Sequence, residues 1–292
     1  NVKYLEWCLD DVDTKLLLSG KLKAFEMNFL KEVSLHDSIT IEKSGSNILA
    51  GVPGGIMLTS NNGNIWNKVL QLDSVYSLKT NSANIYAGTN NGFYLSLDNG
   101  FTWTQSNNGL TDIYVLSIAV SSTTIFAGTR TGVYVSTNNG NTWTPSNIGL
   151  PSTSVNAILV SGSNLFIGTS QGVYLSNNNG LTWTAVNNGI IGSKSISSFA
   201  KNGSNIFVGI YNGGKVFLTT NNGSNWTDVS AGLPSLFSSV VSNIGSKIFF
   251  GSAYGGMYQS TNNGVSWTTN NNSFYGQRTF FSDGASLYDG GY

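Results

Sequence analysis

The sequence predicts an all-β fold of radially repeated four-stranded sheets, a β-propeller, and three observations carry that expectation. First, Trp66, Trp103, Trp143, Trp183, Trp226 and Trp267 recur at intervals of 37, 40, 40, 43 and 41 residues, and a fixed period of that size marks a repeat architecture. Second, each Trp closes one phrase: TSNNGNIW at 59–66, SLDNGFTW at 96–103, STNNGNTW at 136–143, SNNNGLTW at 176–183, TTNNGSNW at 219–226 and STNNGVSW at 260–267. Third, the apolar runs between these phrases are short, rich in Val, Ile, Tyr and Phe, and bounded by Gly and Asn, as strands joined by hairpins are.

Each element of the unit follows from its residues. A first strand reads SVYSLKT, YVLSIAV, SVNAILV or SISSFAK. A second strand, a Gly-rich turn and a third strand read together as NIYAGTNNGFYLS, TIFAGTRTGVYVS or NLFIGTSQGVYLS. An Asn-Gly turn then leads into the fourth strand, because Asn-Gly supplies the positive φ values that tight hairpins demand. Four strands per forty residues is the layout of a propeller blade. Six blades are expected at about 37–72, 73–110, 111–150, 151–190, 191–233 and 234–273, with a partial seventh at 274–292 that opens on RTFFSDGA and SLYDGGY. A ring left open there would expose two unpaired sheet edges. The N-terminal segment 1–36 is therefore expected to complete the last blade, so that both chain ends close the ring in one sheet. Within 1–43, VKYLEWCL reads as a strand, while 15–33 fits either a hairpin or a helical spacing of Leu18, Leu22, Phe25 and Phe29.

Composition excludes several function classes. Only 10% of the 292 residues are charged and the formal net charge is zero, against roughly 25% charged in an average domain. Arg130 and Arg278 are the only arginines, so no basic footprint for nucleic acid can be assembled. Cys8 is the lone cysteine, which rules out an intrachain disulfide and a Cys-based metal site. No apolar run is long enough for a transmembrane helix. There is no phosphate loop, dinucleotide fingerprint or His/Cys metal spacing. The chain opens at Asn1 without a signal segment and reads as a trimmed, exported bacterial product, extracellular or at the cell surface. Asn202, Asn222, Asn225 and Asn271 open Asn-x-Ser/Thr triplets, which matter only in a eukaryotic secretory pathway.

The phrase Ser-x-Asp-x-Gly-x-Thr-Trp resembles the Asp box of BNR repeats, and 96–103 matches it at every position. From about residue 37 onward the chain is similar to Asp-box propellers, among them sialidases, sortilin-type receptors, xyloglucan-cleaving glycosidases and photosystem II assembly factors. The full expectation is thus a seven-bladed propeller of four-stranded antiparallel blades with Asp-box hairpins. The box acid is Asp98 in one repeat and Asn61, Asn138, Asn178, Asn221 and Asn262 in the other five. Either residue can accept backbone N–H bonds as an Asx turn does, and the Trp packs against the blade. The box is therefore read as scaffold.

The resemblance puts ligands over the opposite face, lined by inter-blade loops and by the turns between second and third strands. Arg130, Tyr211 and Tyr254, with Asn90, Asn91 and Gln171, come from the inner turns. Tyr275 and Arg278, with Leu110, Thr111, Asp112, Lys194 and Phe237, come from the connections. Asp37, Asp73 and Asp112 each precede the innermost strand of successive blades and are weak catalytic candidates. Converging carboxylates split their pKa values or hold a hard cation such as Ca²⁺, and an Asp at a strand start also simply caps its turn. His36, beside Asp37, lacks a nucleophile that the sequence can place next to it.

Sialidases, by resemblance, grip substrate with three arginines and a Tyr/Glu pair. Two arginines and no Glu after residue 42 exclude that chemistry. Xyloglucanases use an Asp pair, which Asp73 and Asp112 imitate, but are typically two propellers long. The reading that remains is a non-catalytic secreted or surface-associated module that binds glycan or protein, without a cofactor. The alternatives are an Asp-dependent glycoside hydrolase and a structural part of a larger extracellular assembly.

Overall fold

The computed structural model describes residues 2–5, 40–61, 63–211, 213–234, 239–252, 256–269, 279–282 and 287–290. These residues form strands and turns without a helix. Six four-stranded antiparallel sheets follow one another along the chain, at 40–71, 75–105, 115–145, 155–185, 196–228 and 239–269, and are called here the first to the sixth sheet. Each is a simple meander in which neighbours in sequence are neighbours in space. A further sheet of three strands joins Thr279–Ser282, Leu287–Gly290 and Val2–Leu5. Val2–Leu5 pairs parallel with Leu287–Gly290, Val2 opposite Leu287 and Leu5 opposite Gly290. Both ends of the described chain thus meet in one sheet, and the pairing differs from the antiparallel order of the other six. Thr279–Ser282 lies against the inner strands of both the sixth and the first sheet.

The middle strands are buried along almost their whole length. Asn84–Thr89 hides its last five residues and Gly92–Ser96 hides all five. This is continuous burial, because both faces of each sheet are covered by neighbouring sheets. The core therefore sits in the seams. One cluster joins Tyr86, Phe93 and Leu95 of the second sheet to Val115, Ile118, Ile125, Tyr134 and Trp143 of the third. Another joins Phe166 and Val173 of the fourth to Ile196, Ile206, Val208, Phe217 and Trp226 of the fifth. The Phe93 and Trp143 rings meet edge to face at 4.7 Å, a favoured aromatic geometry.

Polar ties on the inner strands hold the seams in register. Leu78 N donates to Thr40 Oγ1 at 3.2 Å, Ile118 N to Ser77 Oγ at 3.2 Å, and Val241 N to Ser198 Oγ at 2.8 Å. The pairing register shifts just before this point, between Val75 and Ser77 and between Val115 and Ser117, and such bulges re-aim a strand. Glu42 is buried on the first inner strand, where Lys79 lies 3.5 Å away and Thr80 Oγ1 donates to it at 3.1 Å. Desolvation outweighs these partners and raises its carboxyl pKa above the usual value. The outer strands of the second to sixth sheets are exposed and only two residues long. Short edges of this kind resist pairing with a foreign strand.

Candidate functional site

A meander has two ends, and the repeat gives them different chemistry. At one end lie the turns that join third and fourth strands. In the third sheet Ser136 Oγ accepts from Gly140 N at 2.9 Å and donates to Asn138 Oδ1 at 2.9 Å, and Asn138 Oδ1 also accepts from Thr142 N at 3.0 Å. Asn139 takes φ of 61°. Asn138 Nδ2 donates to Thr142 Oγ1 at 2.8 Å, whereas in the second sheet the direction reverses and Thr102 Oγ1 donates to Asp98 Oδ2 at 2.6 Å. An Asn therefore does the same local work as the Asp, with one hydroxyl turned round.

The bonds from the Thr102 side chain, then from its N–H, lower the Asp98 carboxyl pKa from 3.8 to about 2. A lowered carboxylate pKa adds stability above the unfolded value and loses it as pH falls through the folded one. The acid limb of unfolding should therefore carry an Asp98 contribution between about pH 4 and pH 2. Asp98→Asn is expected to flatten that limb, and to shift stability by no more than about 0.5 kcal/mol at neutral pH because the site is screened by solvent. Acid titration followed by tryptophan fluorescence on both proteins checks this.

The Trp that ends each turn reaches across a seam. Trp143 Nε1 donates to Ser106 O at 3.0 Å, Trp183 Nε1 to Ser146 O at 2.8 Å, Trp226 Nε1 to Val186 O at 2.7 Å and Trp267 Nε1 to Val229 O at 2.7 Å. Each acceptor lies one residue past the outer strand of the preceding sheet. Trp103 instead donates within its own turn, to Gly100 O at 3.0 Å, and the buried Trp66 Nε1 has no partner among the described residues. This end is thus occupied with holding the sheets together.

The other end carries the inner turns and the inter-sheet connections. Here the sequence candidates split. Asp73 accepts from Asn90 Nδ2 at 3.3 Å, and Asp112 Oδ2 accepts from Thr131 Oγ1 at 2.9 Å while its Oδ1 accepts from Tyr114 N at 3.1 Å. Each carboxylate fastens the inner turn of its own sheet. Thr153 and Ser170 make the corresponding contact in the fourth sheet, at 2.9 Å. Among the described residues no three His, Cys, Asp or Glu side chains gather as metal ligands. Asp37, His36, Tyr254, Tyr275, Arg278 and Phe237 lie outside the described residues.

Arg130 is the candidate with the most defined geometry. Its guanidinium lies 3.4 Å from the centre of the Tyr114 ring, a stacked arrangement that leaves the in-plane N–H donors to solvent. Arg130 is exposed, and among the described residues no carboxylate pairs with it. Ile113 beside the stack is 40% exposed. Tyr211, on the corresponding turn of the fifth sheet, is 51% exposed, and its N–H donates to Ser195 O at 2.8 Å. Nearby, Lys215 pairs with Asp228 at 2.7 Å.

The candidates from sequence did not include the Asn that braces the inner turn of the second, third and fourth sheets, a place taken by Ser230 Oγ in the fifth. Asn107 Oδ1 accepts from Phe93 N at 2.8 Å, Asn147 Oδ1 from Val133 N at 2.7 Å and Asn187 Oδ1 from Val173 N at 2.8 Å. Its signal was present in the phrases WTQSN, WTPSN and WTAVN, which repeat at 103–107, 143–147 and 183–187. These side chains fix the shape of the inner turns.

Comparison with known proteins supports the architecture. Residues 117–247 match the family described as DUF6242 beta propeller domain. Residues 1–73 match the acyl-ACP thioesterase C-terminal domain family, but 40–71 repeat the four-stranded meander of the later sheets, so that match brings no thioesterase chemistry to them. No curated protein matches the chain. Among solved structures, an ancestral GH74 enzyme superposes with a TM-score of 0.70 at 19% identity, over 88% of this chain and 44% of that one. The extracellular domain of BT4673 from B. thetaiotaomicron gives 0.73 at 15% identity, over 90% and 38%. YCF48 from Cyanidioschyzon merolae gives 0.62 at 16% identity, over 86% and 91%, and a YCF48 structure bound to D1 peptide gives 0.63. The chain spans less than half the length of the GH74 and BT4673 chains. Identities this low speak for the fold alone, and that fold is a β-propeller.

Proposed function

We infer that the chain is a seven-bladed Asp-box propeller, its segment 1–36 completing the last blade of a ring that spans 37–292. Its function, on this reading, is non-catalytic binding of a glycan or a protein, in a secreted or surface-associated setting, on the face opposite the boxes. The observation that carries the reading is Arg130 stacked on Tyr114 with no carboxylate partner among the described residues, beside an exposed Ile113. A planar cation held on an aromatic face, together with exposed apolar and Tyr surface, is the composition of a recognition hot spot. The pairing of both chain ends in one sheet supports the closed ring. The peptide held by the YCF48 propeller and the extracellular placement of the BT4673 domain fit a protein ligand met outside the cell.

The likeness to GH74 enzymes favours a second reading, glycoside hydrolysis by Asp73 and Asp112. It requires two carboxyl groups about 5–10 Å apart that are free to trade protons. Both carboxylates instead hold their own turns. A glycan and peptide binding screen paired with a polysaccharide-hydrolysis assay separates the readings. Binding without turnover is expected, weakened about tenfold each by Arg130→Ala and Tyr211→Ala. Turnover that disappears in the Asp73→Asn/Asp112→Asn double variant would overturn it.

A further inference from the structure

The chain contains many Asn-Gly pairs, and two sets of them sit in contrasting chemical surroundings. In the turn before each Trp the glycine N–H is buried and donates to the hydroxyl that opens the phrase. Gly100 N bonds to Ser96 Oγ at 2.8 Å, Gly140 N to Ser136 Oγ at 2.9 Å, Gly180 N to Ser176 Oγ at 2.9 Å, Gly223 N to Thr219 Oγ1 at 2.9 Å and Gly264 N to Ser260 Oγ at 2.8 Å. The preceding Asn is held as well: Asn139 Oδ1 accepts from Tyr86 OH of the neighbouring sheet at 2.6 Å. Asn108-Gly109 and Asn188-Gly189 sit differently. They occupy the middle of four-residue turns closed by Leu110 N on Asn107 O at 2.9 Å and by Ile190 N on Asn187 O at 3.0 Å. All four residues are exposed. Gly109 N has no hydrogen-bond partner among the described residues, and neither has the Asn108 side-chain amide.

We propose that Asn108 is a site of spontaneous deamidation, followed by Asn188, and that the first-position hydroxyls protect the Asn-Gly pairs beside the tryptophans. In the first step Gly109 N gives up its proton to a solvent base and attacks Asn108 Cγ. The new N–Cγ bond closes a five-membered imide as the Cγ–Nδ2 bond breaks and ammonia leaves. Water then opens the imide at either carbonyl, giving aspartate or isoaspartate, with one new negative charge. The nucleophile of this reaction is the same glycine nitrogen whose N–H is tied to Ser136 Oγ at Gly140 and is untied at Gly109. Reaction at Asn139 requires local opening of a buried hydrogen bond, and such opening is rare in native cores. Asn188 ranks behind Asn108 because its Nδ2 donates to Asn225 Oδ1 at 3.1 Å.

The site is coupled to the seam between the second and third sheets. Asn108 O accepts from Trp143 N at 2.9 Å, so isoaspartate, which lengthens the backbone by one carbon, displaces that acceptor.

The test is peptide mapping by mass spectrometry of the whole folded chain during incubation at mildly alkaline pH, with the same incubation in denaturant. Asn138-Asn139-Gly140 and Asn107-Asn108-Gly109 share both the dipeptide and the residue before it. In the folded chain Asn108 should convert on the order of tenfold faster than Asn139, and in denaturant the two should converge. Ser136→Ala should raise conversion at Asn139 while Asn179 stays unchanged, and Ser136→Thr should keep the protection, as Thr219 does in the fifth sheet. Equal rates at Asn108 and Asn139 in the folded wild type overturn the proposal, as does a rate difference that persists in denaturant. The wild-type comparison decides even if Ser136→Ala does not fold.

Discussion

Trp226→Ala is expected to destabilise the fold by about 3–5 kcal/mol. The side chain is 2% exposed, packs with Phe166, Val173 and Phe217, and donates from Nε1 to Val186 O at 2.7 Å. Truncation opens a cavity in the seam between the fourth and fifth sheets and strands a carbonyl, two costs that add. Trp226→Phe keeps much of the packing and loses only the donor, so about 1–2 kcal/mol is expected. Urea unfolding of the three proteins checks the order. A loss for Trp226→Ala no larger than for Trp226→Phe would show that the hydrogen bond, not the packing, holds the seam.

Gly149→Ala should cost about 3 kcal/mol or more, for a reason that lies in the neighbouring sheet. Gly149 has φ of 89°, and a Cβ there would lie 2.1 Å from Trp183 O. The Trp183 backbone cannot step back, because Trp183 N is bonded to Ile148 O at 2.9 Å. Gly203 is the built-in control: its φ is 62° and a Cβ there meets nothing within 4 Å. Gly203→Ala should cost only the backbone preference, about 1 kcal/mol. Thermal melts of both variants measure the difference, and equal losses would mean that the seam yields to the added methyl.

The period of Trp66 to Trp267 was readable because a large side chain must recur wherever a seam has to be filled, and its volume cannot be supplied by a smaller residue. The turn function of Asp98 and its Asn counterparts was readable for a local reason: donor and acceptor lie four residues apart. What the sequence concealed was pairing over distance. The local partners of two candidate acids were not legible: Thr131, which bonds to Asp112, is 19 residues on, and Asp73 meets Asn90 at a separation of 17. The Arg130 stack was hidden for the same reason, since Tyr114 lies at the start of the inner strand and Arg130 beyond the next hairpin. Arg130 itself was found only through its place in the repeat. The hydroxyl of Ser136 escaped notice because a Ser opening a turn says nothing about which N–H will approach it.

The indole donors have a consequence for how such a chain can change over evolutionary time. Trp143, Trp183, Trp226 and Trp267 find their acceptors 37 to 40 residues earlier, in the sheet before their own. None of these four repeats is therefore complete by itself, because its indole donor is satisfied by a carbonyl of its predecessor. Duplicating or deleting one of these repeats whole leaves each such donor facing an equivalent acceptor, whereas losing part of one orphans two groups at once. Gene-level gain and loss in this architecture should accordingly proceed in whole units, with the propeller tolerating a change in the number of sheets more readily than a gap within one of them.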